Sequence, residues 1–356
     1  MKLSTQPNHR STPAKQRIVA IWLTGLALLL SSCSSAPDSI IMTVTGPVKP
    51  SQMGKTLVHE HVLVDFIGAD STGDHRWDRE EVAERVLPYL EEIKEEGVRT
   101  LVECTPAFVG RDPRLLRTLS ERTGMQLLTN TGYYGASNNR YIPEQVEEMG
   151  TMELSRIWVD EYRNGIEDSG VKPGFIKIAV GPDDTLSALH VKIVSAAAMT
   201  HNQTGLVIAS HTGPDAPAFE QIRILKTFGI DPSHFIWVHA QHGTLEGNLK
   251  AAAMGAWISL DNVNDEKQLE PEDRFSTGWY ANRIMALKEA GYLNRVLISH
   301  DAGWYSPGEE NGGEFRGYTD IFTRLIPELE ERGFSRHDIN QLLVDNPKQA
   351  FSFYPM

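Results

Sequence analysis

His59 and His61 stand two residues apart in an apolar, β-branched run from Thr56 to Phe66. On a strand, positions i and i+2 share one face, so both imidazoles project to the same side. Burying two neutral imidazoles together is unfavourable without a partner, and a divalent metal ion satisfies both at one point. In a chain with twelve histidines the pair alone also reads as a satisfied core pair, so a metal site needs further ligands. Four candidates stand at the C-terminal ends of short apolar runs: Lys177, His211, His239 and Asp301. Together with the first pair they give four imidazoles, a lysine and a carboxylate, a set that suits a metal site.

Something must bring those run ends to one place. Eight apolar runs follow one another: 56–66, 100–107, 126–132, 174–181, 205–213, 235–241, 256–263 and 296–302. Between them the pattern predicts helices over 79–96, 113–123, 151–168, 186–202, 216–228, 245–254 and 279–290. Several of these stop at glycine, at Gly97, Gly124, Gly205, Gly229 and Gly291, which suits helix C-termini. Strand and helix alternating eight times predict an α/β fold, a (β/α)8 barrel, in which the C-terminal strand ends share one face. A doubly wound open sheet is the alternative, but no glycine-rich phosphate loop follows the first strand. Residues 318–353 supply the last helix and a closing one, and 308–313 reads as a mobile loop. No internal linker divides residues 46–356, which are expected to form a single domain.

The N-terminus reads differently. Lys2, Arg10, Lys15 and Arg17 precede an apolar stretch, Ile18 to Leu30, too short for a stable membrane span, and Cys33 follows at once. Residues 1–32 are expected to be a lipoprotein signal, Cys33 the lipidated mature terminus, and 33–45 a tether. The expected location is export with a lipid anchor in a bacterial membrane, the outer one if the source is Gram-negative. The only other cysteine, Cys104, lies in a strand-like run and reads as a core residue rather than a nucleophile. Net charge is −13, and −17 once residues 1–32 are removed with their four basic and no acidic side chains. Such a balance excludes nucleic acid and an anionic membrane face as partners, leaving a small-molecule substrate and attachment through lipid alone.

At the level of these motifs the chain resembles the phosphotriesterase family of the amidohydrolase superfamily. The resemblance covers nearly all of the mature chain: Gly46 to Val48, His59-Glu-His61, Gly110 to Asp112, Thr131-Gly132, then the Lys177, His211, His239 and Asp301 strands in order. It implies a (β/α)8 barrel and two divalent metal ions. His59, His61 and Asp301 would hold the more buried ion, His211 and His239 the more exposed one. Lys177, carbamylated by carbon dioxide, would bridge them as an anion, whereas an ammonium would be repelled. A hydroxide shared by the two ions would be the nucleophile, and Asp301 the acid/base. Zinc is the first expectation, although these ligands equally suit cobalt, manganese or iron. Dimers are common in this family, so a homodimer stays open.

The substrate face departs from the familiar pattern. No aspartate follows soon after His239, and Asn262 stands where well-known relatives carry His or Arg facing the leaving group. Tyr133 and Tyr134 match an aromatic that lines the pocket. His242 and His300 are set aside as ligands: His300 alternates with Asp301 and should point away from the barrel mouth, and His242 lies beyond its strand. The expectation is a hydrolase of a lactone or carboxyl ester, with phosphotriester hydrolysis as a side activity. The alternatives are an amide hydrolase, a single-metal hydrolase with unmodified Lys177, and a lipid-anchored binding protein without catalysis.

Overall fold

The computed structural model describes residues 38–264 and 273–356. The expected signal segment and Cys33 lie outside them. The chain enters through a hairpin of β1 (Ile41–Thr43) and β2 (Gly46–Val48). Within the range expected as a tether, Ile41 is fully buried and Ile40 bridges to Phe353. The apolar Ile40, Ile41 and Met42 are better placed under the barrel than in solvent.

The expected alternation follows. The strands are β3 (Lys55–Glu60), β4 (Val98–Glu103), β5 (Gln126–Leu128), β6 (Asn130–Thr131), β7 (Phe175–Ala179), β8 (Ile208–His211), β9 (Phe235–Val238), β10 (Trp257–Leu260) and β11 (Val296–Ile298). The main helices are α1 (Arg79–Glu95), α2 (Pro113–Thr123), a short α3 (Gln145–Glu148), α4 (Thr151–Asn164), α5 (Ala188–Thr204), α6 (Asp215–Thr227), α7 (Leu245–Ala253) and α8 (Thr277–Glu289). The run 126–132 is one strand interrupted at Thr129, so β5 and β6 together fill the third place of eight. Caps set the helix starts. Asp78 accepts from the Glu80 and Glu81 amides, and Asp112 accepts from Arg114 and Leu115 with Pro113 at the first helical position. Among the described residues no helix is long and apolar enough to cross a membrane.

Every neighbouring pair of these strands is parallel, in two arcs ordered β3-β4-β5 and β6 to β11. Backbone bonds close the seam between the last strand and the first: Asp301 N donates to His59 O at 3.0 Å and His61 N donates to Ala302 O at 2.8 Å. The result is the expected barrel. Phe175, Ala209, Ile236, Trp257 and Leu297 fill its interior, while Ile176, Ile178, Ile208 and Ile258 pack outward under the helices. This alternation carries Lys177 and His211 inward, at the mouth end of their strands. On β3 the register against β4 shifts between Leu57 and Glu60, an irregularity of the kind that re-aims side chains. Val58 thus joins the interior cluster while its neighbour His59 reaches the site.

Gly132 places Lys177. A β-carbon there would lie 2.1 Å from the Lys177 carbonyl oxygen, and φ is +122°. Gly132→Ala is expected to cost roughly 2–5 kcal/mol, from backbone strain plus overpacking. Urea unfolding measures it, and an unchanged midpoint would show that β6 can move aside.

Candidate metal centre

Five of the six expected site residues lie within a few ångströms of one another at the mouth. His61 Nε2 is 3.0 Å from Asp301 Oδ1, and His59 Nε2 is 3.6 Å from the same oxygen. His239 Nε2 is 3.9 Å from Asp301 Oδ2, and Lys177 Nζ is 3.5 Å from His59 Nε2. His211, the sixth, packs edge-on against His239 with ring centroids 4.4 Å apart. His59, Lys177 and His239 are buried, and Asp301 keeps 17% of its side chain exposed toward the mouth.

Burial shapes the protonation of these groups. His211 is held well below the usual imidazole range, by burial first and then by the charges of His239 and Lys177. His239 is lowered to about 4, again chiefly by burial. Burial alone would raise Asp301, but the opposing pull of His59, His61 and His239 outweighs it and holds the carboxyl well below its ordinary value. Imidazoles gathered around a carboxylate are a donor set for a divalent ion. His59, His61 and Asp301 present ligand atoms all within 4.8 Å of one another. The residues therefore fit the metal that the sequence points to.

A second set of residues, not anticipated from the sequence, aims the imidazoles. Asp261, just past β10 and fully buried, places Oδ2 3.3 Å from His59 Nδ1 and 3.5 Å from His239 Nδ1. That oxygen also accepts from the His239 amide at 2.8 Å, and Oδ1 accepts from Ser259 Oγ at 2.7 Å. Burial opposes ionisation here as well, but His59 and His239 bring Asp261 down to about 2. His59, His239 and Asp261 also form a compact three-residue group by distance. Because Asp261 faces the Nδ1 atoms while both Nε2 atoms face Asp301, it orients the ligands from behind. His61 has its own support: Nδ1 lies 2.7 Å from Thr105 Oγ1, and Glu103 accepts from the Thr105 amide. Buried Glu103 is raised above its usual carboxyl value by desolvation, against the lowering effect of His61.

Glu60 faces the opposite way from the two histidines that flank it. Its Oε1 accepts from Ser299 Oγ, His300 N and His300 Nδ1, and its Oε2 from Ala302 N. His300 Nε2 accepts from the Ile321 amide, which assigns the ring's proton to Nδ1. His300 thus turns away from the mouth as its alternation requires. The clamp grips both sides of Asp301, whose φ of +52° is unusual for a non-glycine residue. His239 (φ +59°) and Asn262 (φ +65°) share this left-handed conformation. The strand expected to run to Gln241 therefore ends at Val238, because the backbone turns at His239.

Two cavities flank the cluster. One of about 720 Å³ is lined by His211, Gly135, Asn139, Val180, His242 and Arg274 among others. One of about 180 Å³ lies against Asp301 and is lined by Asn262, Trp304, Glu314 and Arg316. The Tyr134 hydroxyl stands 3.2 Å from His211 Nδ1, whereas Tyr133 packs on Phe108 and Trp158 away from the cluster. His242 stays at the rim, its ring centroid 6.5 Å from that of His239. Cys104 is buried, with its thiol pushed well up by desolvation, as a core residue should be. His190 Nε2 lies 2.8 Å from the Gly135 carbonyl oxygen.

Comparison with known proteins agrees with this geometry. The phosphotriesterase family model matches residues 39–351. The phosphotriesterase homology protein of Escherichia coli is 31% identical over 299 residues, covering 84% of this chain and 98% of the relative. The N-acetyltaurine hydrolase of Rattus norvegicus is 28% identical over 348 residues, covering 88% and 98%. Among solved structures, a variant of a PTE-like lactonase from Deinococcus radiodurans superposes with a TM-score of 0.77 at 26% identity, covering 87% of this chain and 99% of the other. A barrel with an imidazole, lysine and carboxylate cluster at its mouth, matched over nearly its whole described length, belongs to the phosphotriesterase family of metal-dependent hydrolases.

Proposed function

We propose that the chain hydrolyses an acyl substrate, a lactone or carboxyl ester first. The observation that carries this reading is the pair of cavities. An acyl carbon has two arms, and the cluster has a roomy cavity on the His211 side and a narrow one on the Asp301 side. Two divalent ions, zinc first, held by His59, His61 and Asp301 and by His211 and His239 with carbamylated Lys177 between them, would polarise the scissile bond and activate water.

The protein's own groups do the rest. Asp301 turns Oδ1 toward His59 and His61 and leaves Oδ2, 3.9 Å from His239 Nε2, to take the proton of the attacking water and return it to the leaving group. Asp261, facing the Nδ1 atoms of His59 and His239, would orient both rings toward the metal. His211, with the Tyr134 ring packed edge-on against it, lines the larger cavity, and Asn262 lines the smaller.

An amide hydrolase is the second reading, favoured by the likeness to N-acetyltaurine hydrolases over 88% of the chain. The test is a panel of lactones, esters, amides and phosphotriesters offered to the metal-loaded protein. Highest kcat/KM on a lactone or ester supports the first reading and highest on an amide the second. Phosphotriesters cut far better than any carbonyl compound would sink both, and no turnover of any class would favour a binding protein.

A further inference from the structure

We propose that Arg316 recognises a permanent anionic group, a carboxylate or sulfonate, on the arm of the substrate that enters the smaller cavity. This rests on the acyl-hydrolase reading and specifies its substrate class. Arg316 comes from the loop after β11 and reaches back over the last strand end. Its Nη2 donates to the carbonyl oxygens of His300 and Asp301, the latter at 3.0 Å, and Nη1 makes a long contact of 3.4 Å to Asn262 Oδ1.

Those bonds fix the guanidinium without neutralising it. Carbonyl and amide oxygens carry no net charge, and among the described residues no carboxylate oxygen lies within 4.0 Å of it. Glu314 lines the same cavity but does not pair with it. In a chain of net charge −13, a half-buried arginine left without a counter-ion beside the reacting groups is a site for an anion from outside. The Nε and the remaining Nη1 hydrogen are its unused donors. The position also explains Asn262, which is too short and neutral to hold an anion. Arg316 arrives beside it from another element, so the cation stands in the cavity although the strand end itself does not supply it.

The cavity's size limits the arm. About 180 Å³ accommodates a short chain of a few carbons ending in the charged group, while the rest of the acyl substrate extends toward His211. Trp304, 38% exposed, offers such a chain an apolar wall.

The experiment uses two matched pairs on the metal-loaded full chain, in wild type, Arg316→Met and Arg316→Lys. For turnover the pair is 3-acetoxypropanoate and propyl acetate. For binding it is their hydrolysis-proof ketone analogues, 5-oxohexanoate and 2-hexanone, followed by calorimetry. Wild type is expected to bind the anionic ketone at least tenfold more tightly than the neutral one. Arg316→Met should raise KM for the anionic ester and Kd for the anionic ketone about tenfold to a hundredfold more than it raises them for the neutral partners. Arg316→Lys should recover part of the loss. Equal losses for charged and neutral compounds would overturn the proposal and leave Arg316 as a prop for the Asp301 backbone. Equal binding of the two ketones by wild type would overturn it as well. If neither ester is cut, the acyl-hydrolase reading fails on that count while the ketone titration still decides the role of Arg316.

Discussion

Lys177→Ala is expected to keep its fold and lose most of its metal. Lys177 is 2% exposed, lies in an apolar strand, and has no carboxylate within 4.0 Å among the described residues. Three imidazoles crowd it instead, since His59 Nε2 is 3.5 Å away and both His211 and His239 feel its charge. A buried ammonium in that company is costly, and a carbamate reverses the sign of the charge and turns the residue into a two-oxygen ligand. Removing it should lower metal affinity by more than the roughly tenfold to hundredfold that loss of an outer-shell partner brings. Elemental analysis of protein expressed with bicarbonate should find about two ions per wild-type chain and fewer than about one in the variant, as a shared ligand requires. Circular dichroism checks that the barrel survives the truncation. Equal metal content in the two proteins would mean that Lys177 is no ligand, and one ion in each would mean that the single-metal arrangement holds.

Asp301→Asn separates holding from reacting. The amide keeps the shape of the side chain and one neutral oxygen for His59 and His61, but it cannot take a proton at the position of Oδ2. The clamp from Glu60 to the His300 and Ala302 amides does not involve the Asp301 side chain, so the strand end should stay in place. The expected result is a fall in kcat of about 10²- to 10⁴-fold on the best substrate, with KM changed much less, as loss of an acid/base group gives. Metal content is measured on the same samples. A variant that keeps its metal and its rate would assign proton transfer to another group. One that loses metal and rate together would make Asp301 chiefly a ligand.

Barrel, strand order and ligand candidates were legible in the sequence because each is written locally. β-branched runs ending in a polar residue give a strand and its mouth end, and glycine after an amphipathic stretch gives a helix end. What could not be read were the partners across the barrel. Glu60 sits inside the histidine motif, but its acceptor role depends on His300, 240 residues away. Asp261 was in view beside Asn262, and its place two residues after Ser259 on an inward-facing row was the signal that could have identified it. Glu103 and Thr105 lie in the second apolar run, and only the fold sets Thr105 against His61. Arg316 follows a glycine-rich stretch that reads as a solvated loop. Strand ends were placed too late wherever the backbone turns left-handed, at His239 above all, because an αL residue other than glycine leaves no mark in the hydropathy pattern.

The seam that closes the barrel is made by the site residues themselves, His59 and His61 on the first strand and Asp301 and Ala302 on the last. As the chain is made or threaded from one end, the His59 and His61 half exists early, yet Asp301, the carboxylate that both Nε2 atoms face, arrives only in the final sixth of the polypeptide. Joining segments so distant in sequence is the slow, late kind of folding event. A chain truncated before Asp301 would therefore lack both the seam and the carboxylate that faces the His59 and His61 pair.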